Sequence, residues 1–458
     1  MGPTEALASF AVRMKSDSLP PEAVHAARRA ILDCLGVALA GSTEPASRIM
    51  AEQARSQGGS PESTIWGNGG RVGAQNAALA NGTSAHVLDY DDTSHSMPGH
   101  PSVPVLPAVM AVAERTGASG TEVLAAFVAG FEVECKLGRF TGQESFDRGW
   151  HATTTLGVIG ATAGAGRLLG LDEPRMRRAL GMAVAQASGV RQNFGTMTKS
   201  FHVGRAAQSA ILAAELASRG FTASENGIEG SQGYWDMFGG AVSRDGDAMA
   251  AALGNPFDVV SPGINFKAYP CCASTHAAID AALQVADGLS EGNIETVMVD
   301  VPYTAPLVLI HHRPTTPLAG KFSLEYCVAV ALLDGEVGLG HFTEEAVRRA
   351  DVQSVLRWVE YRTPDDWQKG AGPWKLGHAR VEVRLKDGTV RRGETTVPRG
   401  DCSNPLGDEE LETKFLECAA LALGEKQAGE TLELIRKFER LEDMRLLSEK
   451  LVPKGLAE

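Results

Sequence analysis

From residue 4 to about residue 265 the chain carries one helical apolar pattern after another, broken by Gly, Ser, Thr or Pro and almost never by the alternation of a strand. TEALASFAVRMK and PPEAVHAARRAILDCLGVALAG open the series, the second with proline in its first turn and glycine after its end. Further helices are expected over 44–57, 74–87, 103–115 and 121–138, then over TTTLGVIGATAGAGRLLG, EPRMRRALGMAVAQASG and GRAAQSAILAAELASRG, and again in the 220s. The chain has 51 glycines and only 6% aromatic residues, so the facing positions are mostly small and the helices can approach closely on several sides. A compact helical bundle follows.

The texture changes near residue 265. INFKAYPCCASTH leads into an apolar helix to about 287, IETVMVDVPYTAPLVLI alternates as a strand does, and KFSLEYCVAVALLDG is helical again. ARVEVRLKDGTVRRGETTV reads as a hairpin turned by Asp387-Gly388. From Cys402 the chain returns to helix. The expected architecture is mainly α: an all-helical domain from residues 1–265 and 403–458, with an α+β lid domain, 266–402, inserted between its halves.

A formal net charge of -13 argues against nucleic-acid binding, which needs a basic face. An anionic substrate would then need a local cationic focus. The seven cysteines include no CxxC pair and sit mostly in apolar helical contexts, which reads as buried thiols rather than zinc ligands or disulfides. No basic and apolar leader opens the sequence and no apolar run reaches membrane-spanning length, so a cytoplasmic protein without a membrane partner is expected.

The densest chemistry lies in NGTSAHVLDYDDTSHSMPGHPSVPVLP, residues 81–107, where a helix end passes into a proline-bent loop. His86, Asp89, Asp91, Asp92, Thr93, His95 and His100 can meet there around one small polar ligand. Asp89, Asp91, Asp92, His95 and His100 are metal-donor types, but their spacing matches no ligand signature, and no metal is expected. His151 stands at a helix start, where the positive helix end favours a neutral imidazole. Lys199, His202 and Arg205 fall within two turns of a helix expected to be entered through Gly204, a grouping suited to carboxylates. Lys267 and His276 flank YPCCAST, where free helix amides can meet an anion, and Lys321 and Tyr326 open the helix KFSLEYC. The glycines of GATAGAG follow a helix, not a strand, and lack the dinucleotide fingerprint. Close helix packing explains them, and no GxSxG, HExxH or P-loop is present.

Taken in order, AHVLDYDDTSHSMPGHPSVPVLPA, GWHATTTLGVIGATAGAGRLLGLD, NFGTMTKSFHVGRAAQ, FKAYPCCASTH, GKFSLEYCVAVALLDG and DCSNPLGDEELETKF resemble the MmgE/PrpD family, over nearly the whole chain. That family includes dehydratases, decarboxylases and epimerases of small polycarboxylates. The resemblance implies a helical domain made from both chain ends, an inserted lid, a homodimer and a cofactor-free site in the cleft. It implies Asp89, Thr93, His100, His151, Lys199, His276 and Tyr326 as site positions: His100 and His151 as acid/base groups, Lys199 and His276 as carboxylate clamps or proton donors, Asp89 as orienter of an imidazole, and Thr93 and Tyr326 as hydrogen-bond donors. Lys199, His202, Lys267, His276 and Lys321 are the expected contacts to the anionic carboxylate substrate. Ser94-His95 stands where the decarboxylases and dehydratases continue with Trp, and NFGTMTK and GKFSLEY look closer to iminodisuccinate epimerase. The expected reaction is hydro-lyase chemistry of the 2-methylcitrate dehydratase kind, with epimerisation or decarboxylation as alternatives.

Overall fold

The computed structural model describes residues 1–239, 244–368 and 377–455. Residues 240–243, 369–376 and 456–458, which the expected domain spans include, lie outside the described residues.

The fold is mainly α. Helices at Pro3–Arg13, Pro21–Gly41, Pro45–Ser56, Ala74–His86, Ser102–Thr116, Gly120–Thr141, Ala152–Leu168, Glu173–Ala185 and Met197–Ser218 follow one another in the first half of the chain. Their ends obey local chemistry. Proline occupies the first turn of the first three. Ser119 and Glu122 form a reciprocal capping box at the start of Gly120–Thr141. Gly117, at φ 69°, closes Ser102–Thr116 in the left-handed region.

One apolar core gathers residues from Leu7 to Phe266 and resumes from Leu406 to Leu451. The C-terminal helices Asp408–Leu423 and Glu425–Ile435 therefore pack back on the first half, and Phe415 sits against Gly36 of Pro21–Gly41. A second core runs from Tyr269 to Leu385 and takes in one side chain of the first half, Phe194. It encloses the helices Ala273–Leu283 and Leu324–Asp334 and a four-stranded sheet in which Val359–Arg362, Ile294–Asp300, Ala379–Leu385 and Val390–Thr395 are neighbours in that order. The first pair is parallel and the others antiparallel. Gly388, at φ 87°, turns the expected hairpin.

Four expectations are corrected. The 220s form turns, and a short helical turn follows at Tyr234–Met237, because SENGIEGSQG offers turn formers and too few apolar positions for a buried stripe. The strand expected through LVLI stops at Asp300, before Pro302, which has no amide to donate. Val359–Arg362, a strand not anticipated, pairs in parallel with Ile294–Asp300. The helix bearing Lys199 starts at Met197 under a Thr196 cap, and Gly204 lies inside it, pressed on Gly82 of the helix Ala74–His86.

The glycines of GATAGAG serve helix packing. A Cβ on Gly160 would lie 2.6 Å from the Gly130 carbonyl oxygen, and one on Gly164 would lie 2.8 Å from that of Ala126. Gly160→Ala is therefore expected to destabilise the fold by about 1–3 kcal/mol through overpacking. Gly429, in the helix Glu425–Ile435, has open space around it, so Gly429→Ala is expected to stabilise by about 0.5–1 kcal/mol on helix propensity. Urea unfolding of the two variants, with opposite shifts in midpoint, checks the assignment.

Candidate active site

Five helices begin at one hollow. Its wall takes Gly99 and His100 from just before Ser102–Thr116, His151 and Thr153 from the start of Ala152–Leu168, Lys199 from the first turn of Met197–Ser218, Cys272, Ala273 and Ser274 from the start of Ala273–Leu283, and Phe322 from just before Leu324–Asp334. The hollow encloses about 700 Å³, part of it open to solvent. Each helix start carries up to about half a positive charge, so the combined field favours an anion. Met97, Phe146, Phe194, Val308 and Phe322 supply an apolar lining between the two cores.

At its floor the loop after Ala74–His86 turns sharply. Asp89 adopts φ 51°, a left-handed conformation that Asp tolerates better than most residues but that still costs energy. Three buried bonds hold it there. Lys199 Nζ donates to Asp89 Oδ1 at 2.9 Å, while Lys267 Nζ donates to the Asp89 carbonyl at 2.6 Å and lies 3.2 Å from Oδ1. Burial alone would raise the Asp89 carboxyl, but these two ammonium groups hold it well below the usual range.

Asp91 makes a second centre. His86 Nδ1 lies 2.8 Å from Asp91 Oδ2, and His100 Nδ1 lies 3.0 Å from the same oxygen. His86 Nε2 is 2.5 Å from Lys199 Nζ. An ammonium only donates, so His86 accepts there and carries its proton on Nδ1, facing the carboxylate. Burial and the Lys199 charge, outweighing the pull of Asp91, lower the His86 imidazole to about 3. Burial lowers His100 too, against the pull of Asp91. Desolvation, with Lys199 next, puts His151 well below its ordinary value. His151 also stands at the N-cap position of its helix, as the sequence implied, with its side chain turned to the hollow instead of to the helix amides. Its Nδ1 lies 3.3 Å from His202 Nδ1, so one of the two rings donates there, and its Nε2 is buried with no hydrogen-bond partner among the described residues. Ring centroids are 4.6 Å apart for His86 and His100 and 5.6 Å apart for His86 and His151.

The structure thus brings Asp89, Thr93, His100, His151 and Lys199 to one wall, with Lys267 directly beneath and His202 behind His151. Three expected site residues stand elsewhere. His276 is buried beside the Tyr269 ring, with Nε2 3.3 Å from the Cys271 carbonyl, and lines a separate small cavity on the far side of Thr93 and Ala273. Tyr326 is fully buried in the second core and donates its hydroxyl to the His341 carbonyl. Lys321 donates to the Pro270 carbonyl at 2.7 Å and lies over the Phe342 ring, and burial lowers it to about 8. His276 and Tyr326 were expected here from the family resemblance and Lys321 as a contact to the substrate, but each side chain leaves its helix region on another face. Arg205 is exposed and bonded to Gln208. Asp92 turns away to accept from the Ser102 amide at 3.2 Å and hydroxyl at 2.5 Å.

The sequence reading grouped His86 with the loop residues that meet around a ligand but did not foresee its place between Lys199 and Asp91, which the helical register of Ala74–His86 sets. It also missed Cys272, read as a buried thiol but lining the hollow, where burial raises it to about 11. Phe194 and Phe322, 5.5 Å apart, close the apolar side, and only the packing of Phe194, from the first half of the chain, into the second core reveals it. Donor atoms of His86, Asp89, Asp91 and His100 lie within 4.8 Å of one another, a spacing that suits a metal ion. The ammonium groups of Lys199 and Lys267 already occupy the carboxylate of Asp89, and their charge opposes a second cation.

The sequence matches the MmgE/PrpD N-terminal domain over residues 5–245 and the MmgE/PrpD C-terminal domain over residues 269–440. It is 28% identical to a cis-aconitate decarboxylase of Homo sapiens, covering 97% of this chain and 93% of that protein. It is 27% identical to a cis-aconitate decarboxylase of Mus musculus, covering 97% and 92%. A cis-aconitate decarboxylase of Aspergillus terreus is also 27% identical, covering 98% of this chain and 96% of that protein.

The lowered imidazoles of His86, His100 and His151, with the half-buried His202 beside them, make native stability pH-dependent. Their folded values lie below the free value near 6.5, so on acidification the unfolded chain binds protons that the native site refuses. Their contribution is complete above about pH 6.5 and is lost progressively as pH falls toward the folded values, about 3 for His86. His86 alone gives a slope approaching about 1.4 kcal/mol per pH unit between roughly pH 6 and 4, and the other lowered imidazoles add to it in the same direction. Urea unfolding across that window should show it, and His151→Gln should remove about one proton from the slope.

Proposed function

The chain belongs to the MmgE/PrpD family, and on that premise we propose that it is a lyase of small polycarboxylates that releases carbon dioxide from a substrate of the cis-aconitate kind. The relatives that support this reading are decarboxylases aligned along almost the full chain. The observation that carries it is the pairing, in one hollow, of the Lys199 ammonium with His151, whose Nε2 has no partner.

The chemistry follows from that pairing. Substrate carboxylates face the helix starts and Lys199, which can stabilise negative charge as it develops. When the bond to the departing carboxylate breaks, its electron pair passes through the conjugated alkene onto a remaining carboxylate, next to the ammonium. Carbon dioxide leaves and a proton must take its place on carbon. His151 is the proposed donor, through Nε2. Its imidazole is held neutral in the empty hollow, and a bound polyanion raises its proton affinity, so the catalytic proton enters with the substrate. His86 and Asp91 keep His100 oriented, and Asp89 fixes Lys199.

Hydro-lyase chemistry is the second reading, because two imidazoles, His100 and His151, line the same hollow. Decarboxylation needs one proton donor, whereas elimination needs a base for the C–H bond and an acid for the departing hydroxyl. Epimerisation needs the same two groups without a leaving group. In this proposal residues 266–402 act as a lid over a helical body of residues 1–265 and 403–458, and the protein is a cytoplasmic homodimer working without a cofactor.

Proton NMR in deuterated water with cis-aconitate, 2-methylcitrate, citrate and iminodisuccinate separates the outcomes. Loss of carbon dioxide with one solvent deuterium on the product is expected for cis-aconitate. Loss of water from a hydroxy acid, with no turnover of cis-aconitate, would favour the second reading. His151→Gln is expected to lower kcat by about 10² or more. Lys199→Ala is expected to lower kcat/KM further, because it removes the ammonium and leaves Asp89 short of a partner.

A further inference from the structure

A second cluster of ligand-type side chains lies outside the hollow, where the chain crosses between the two cores. It consists of His95, Asp401 and Cys402. His95 Nε2 is 2.8 Å from Asp401 Oδ2, and Cys402 Sγ is 3.7 Å from Asp401 Oδ1. One donor atom from each of the three lies within 4.8 Å of the other two. We propose that His95, Asp401 and Cys402 form a binding site for a zinc-type divalent ion that clasps the returning end of the inserted segment to the cavity loop.

The donor set selects the metal class. A thiolate, an imidazole and a carboxylate together suit a borderline ion such as zinc, whereas calcium and magnesium take oxygen ligands. In a tetrahedral site with Zn–N and Zn–O bonds of about 2.0–2.2 Å, ligand atoms stand roughly 3.3–3.5 Å apart. The His95 and Asp401 atoms need to part by only about half an ångström from their present contact, while the thiol stands 3.7 Å from the other oxygen of the same carboxylate, with one donor atom of each residue within 4.8 Å of the others. Three protein ligands leave one position for water. All three groups reach the surface to some extent, so an ion can enter. Cations that share a cavity wall with the cluster are engaged elsewhere: Lys267 bonds to Asp89, Arg399 donates to Glu410 at 2.6 Å, and Arg29 donates to the Leu406 carbonyl and pairs with Asp408.

The backbone around the cluster gives the ion a consequence. Thr93 and Asn265 exchange two backbone hydrogen bonds of 2.9 Å each, and Asn265 Oδ1 accepts from the Cys402 amide at 2.8 Å. Asn265 precedes the second core and Cys402 follows it, so both crossings meet the loop that carries His95. Two residues before His95, Thr93 lines the hollow. An ion here would tie the crossings to that loop.

The test is a titration of the full-length, metal-stripped protein with Co²⁺, read by thiolate-to-cobalt charge-transfer absorbance and tetrahedral visible bands. One equivalent per chain is expected, displaced by Zn²⁺, with binding weakened about 100-fold or more in Cys402→Ser and His95→Ala. Cys272→Ser is expected to leave the spectrum unchanged, which separates this site from the hollow. A rise in melting temperature on adding Zn²⁺ should appear in the unaltered protein and vanish in both ligand variants. His95→Ala keeps the thiol, so a folding defect peculiar to Cys402→Ser does not blur the outcome. Absence of a thiolate band, its survival in either ligand variant, or its loss in Cys272→Ser would each overturn the proposal.

Discussion

Everything at the centre of this fold depends on a charge balance that water does not supply. Two carboxylates, Asp89 and Asp91, and two ammonium groups, Lys199 and Lys267, are buried within one cluster. An isolated buried charge costs several kcal/mol even after relaxation, so each is tolerable only while the others stay in place. The four come from three distant parts of the chain. The cluster can therefore form only after the Ala74–His86 loop, the start of Met197–Ser218 and the segment leading to Ala273–Leu283 have docked together. The left-handed turn at Asp89 persists because its carbonyl and its carboxylate are both held by buried donors. The C-terminal helix braces the same place from behind: Lys414 pairs with Asp33 at 2.7 Å and donates to the carbonyls of Tyr90 and Lys267. The returning chain end thus reaches the backbone on both sides of the cluster.

Small residues make the convergence of helices possible. Helices that touch at glycine, as Ala152–Leu168 does with Ser102–Thr116 where Gly157 meets Pro104 and Gly164 meets Val109, keep their starts close together. Larger side chains at these crossings would hold the axes apart and spread the positive helix ends over a wider region. The abundance of glycine is thus tied to electrostatics as much as to packing. It concentrates weak dipolar fields in one low-dielectric hollow, where each counts for more than it would at a wet surface.

Much of this was legible in the amino-acid order. Helical periodicity located most bundle elements to within a few residues, Asp387-Gly388 announced the hairpin, and the density of His and Asp between residues 86 and 100 marked the floor of the hollow. Side-chain direction was less legible. Tyr326 and Lys321 stand near a helix start that faces the hollow, yet each points into the second core, where a carbonyl accepts its proton. His276 leaves its helix on the side of Tyr269. Nearness in sequence to a helix start constrains position along the axis and says nothing of the angle around it, which packing decides. Val359–Arg362 was missed for a related reason: a four-residue strand shows its nature only through the partner it pairs with.

The same charge balance bears on the chemistry of the hollow. With Asp89 and Asp91 set against Lys199 and Lys267, and the imidazoles neutral, the empty cluster carries almost no net charge, so attraction for an anion rests on the helix starts and on Lys199. A site built from permanent excess cations would bind a polycarboxylate tightly before and after reaction alike, which accelerates nothing. A site that becomes cationic only by protonating its own imidazoles answers the charge of the substrate with the proton the reaction consumes. Once that proton has passed to carbon, the site reverts to neutrality and its hold on the product weakens. Burial of the imidazoles, an energetic cost when the hollow is empty, is on this argument what couples binding, proton delivery and release.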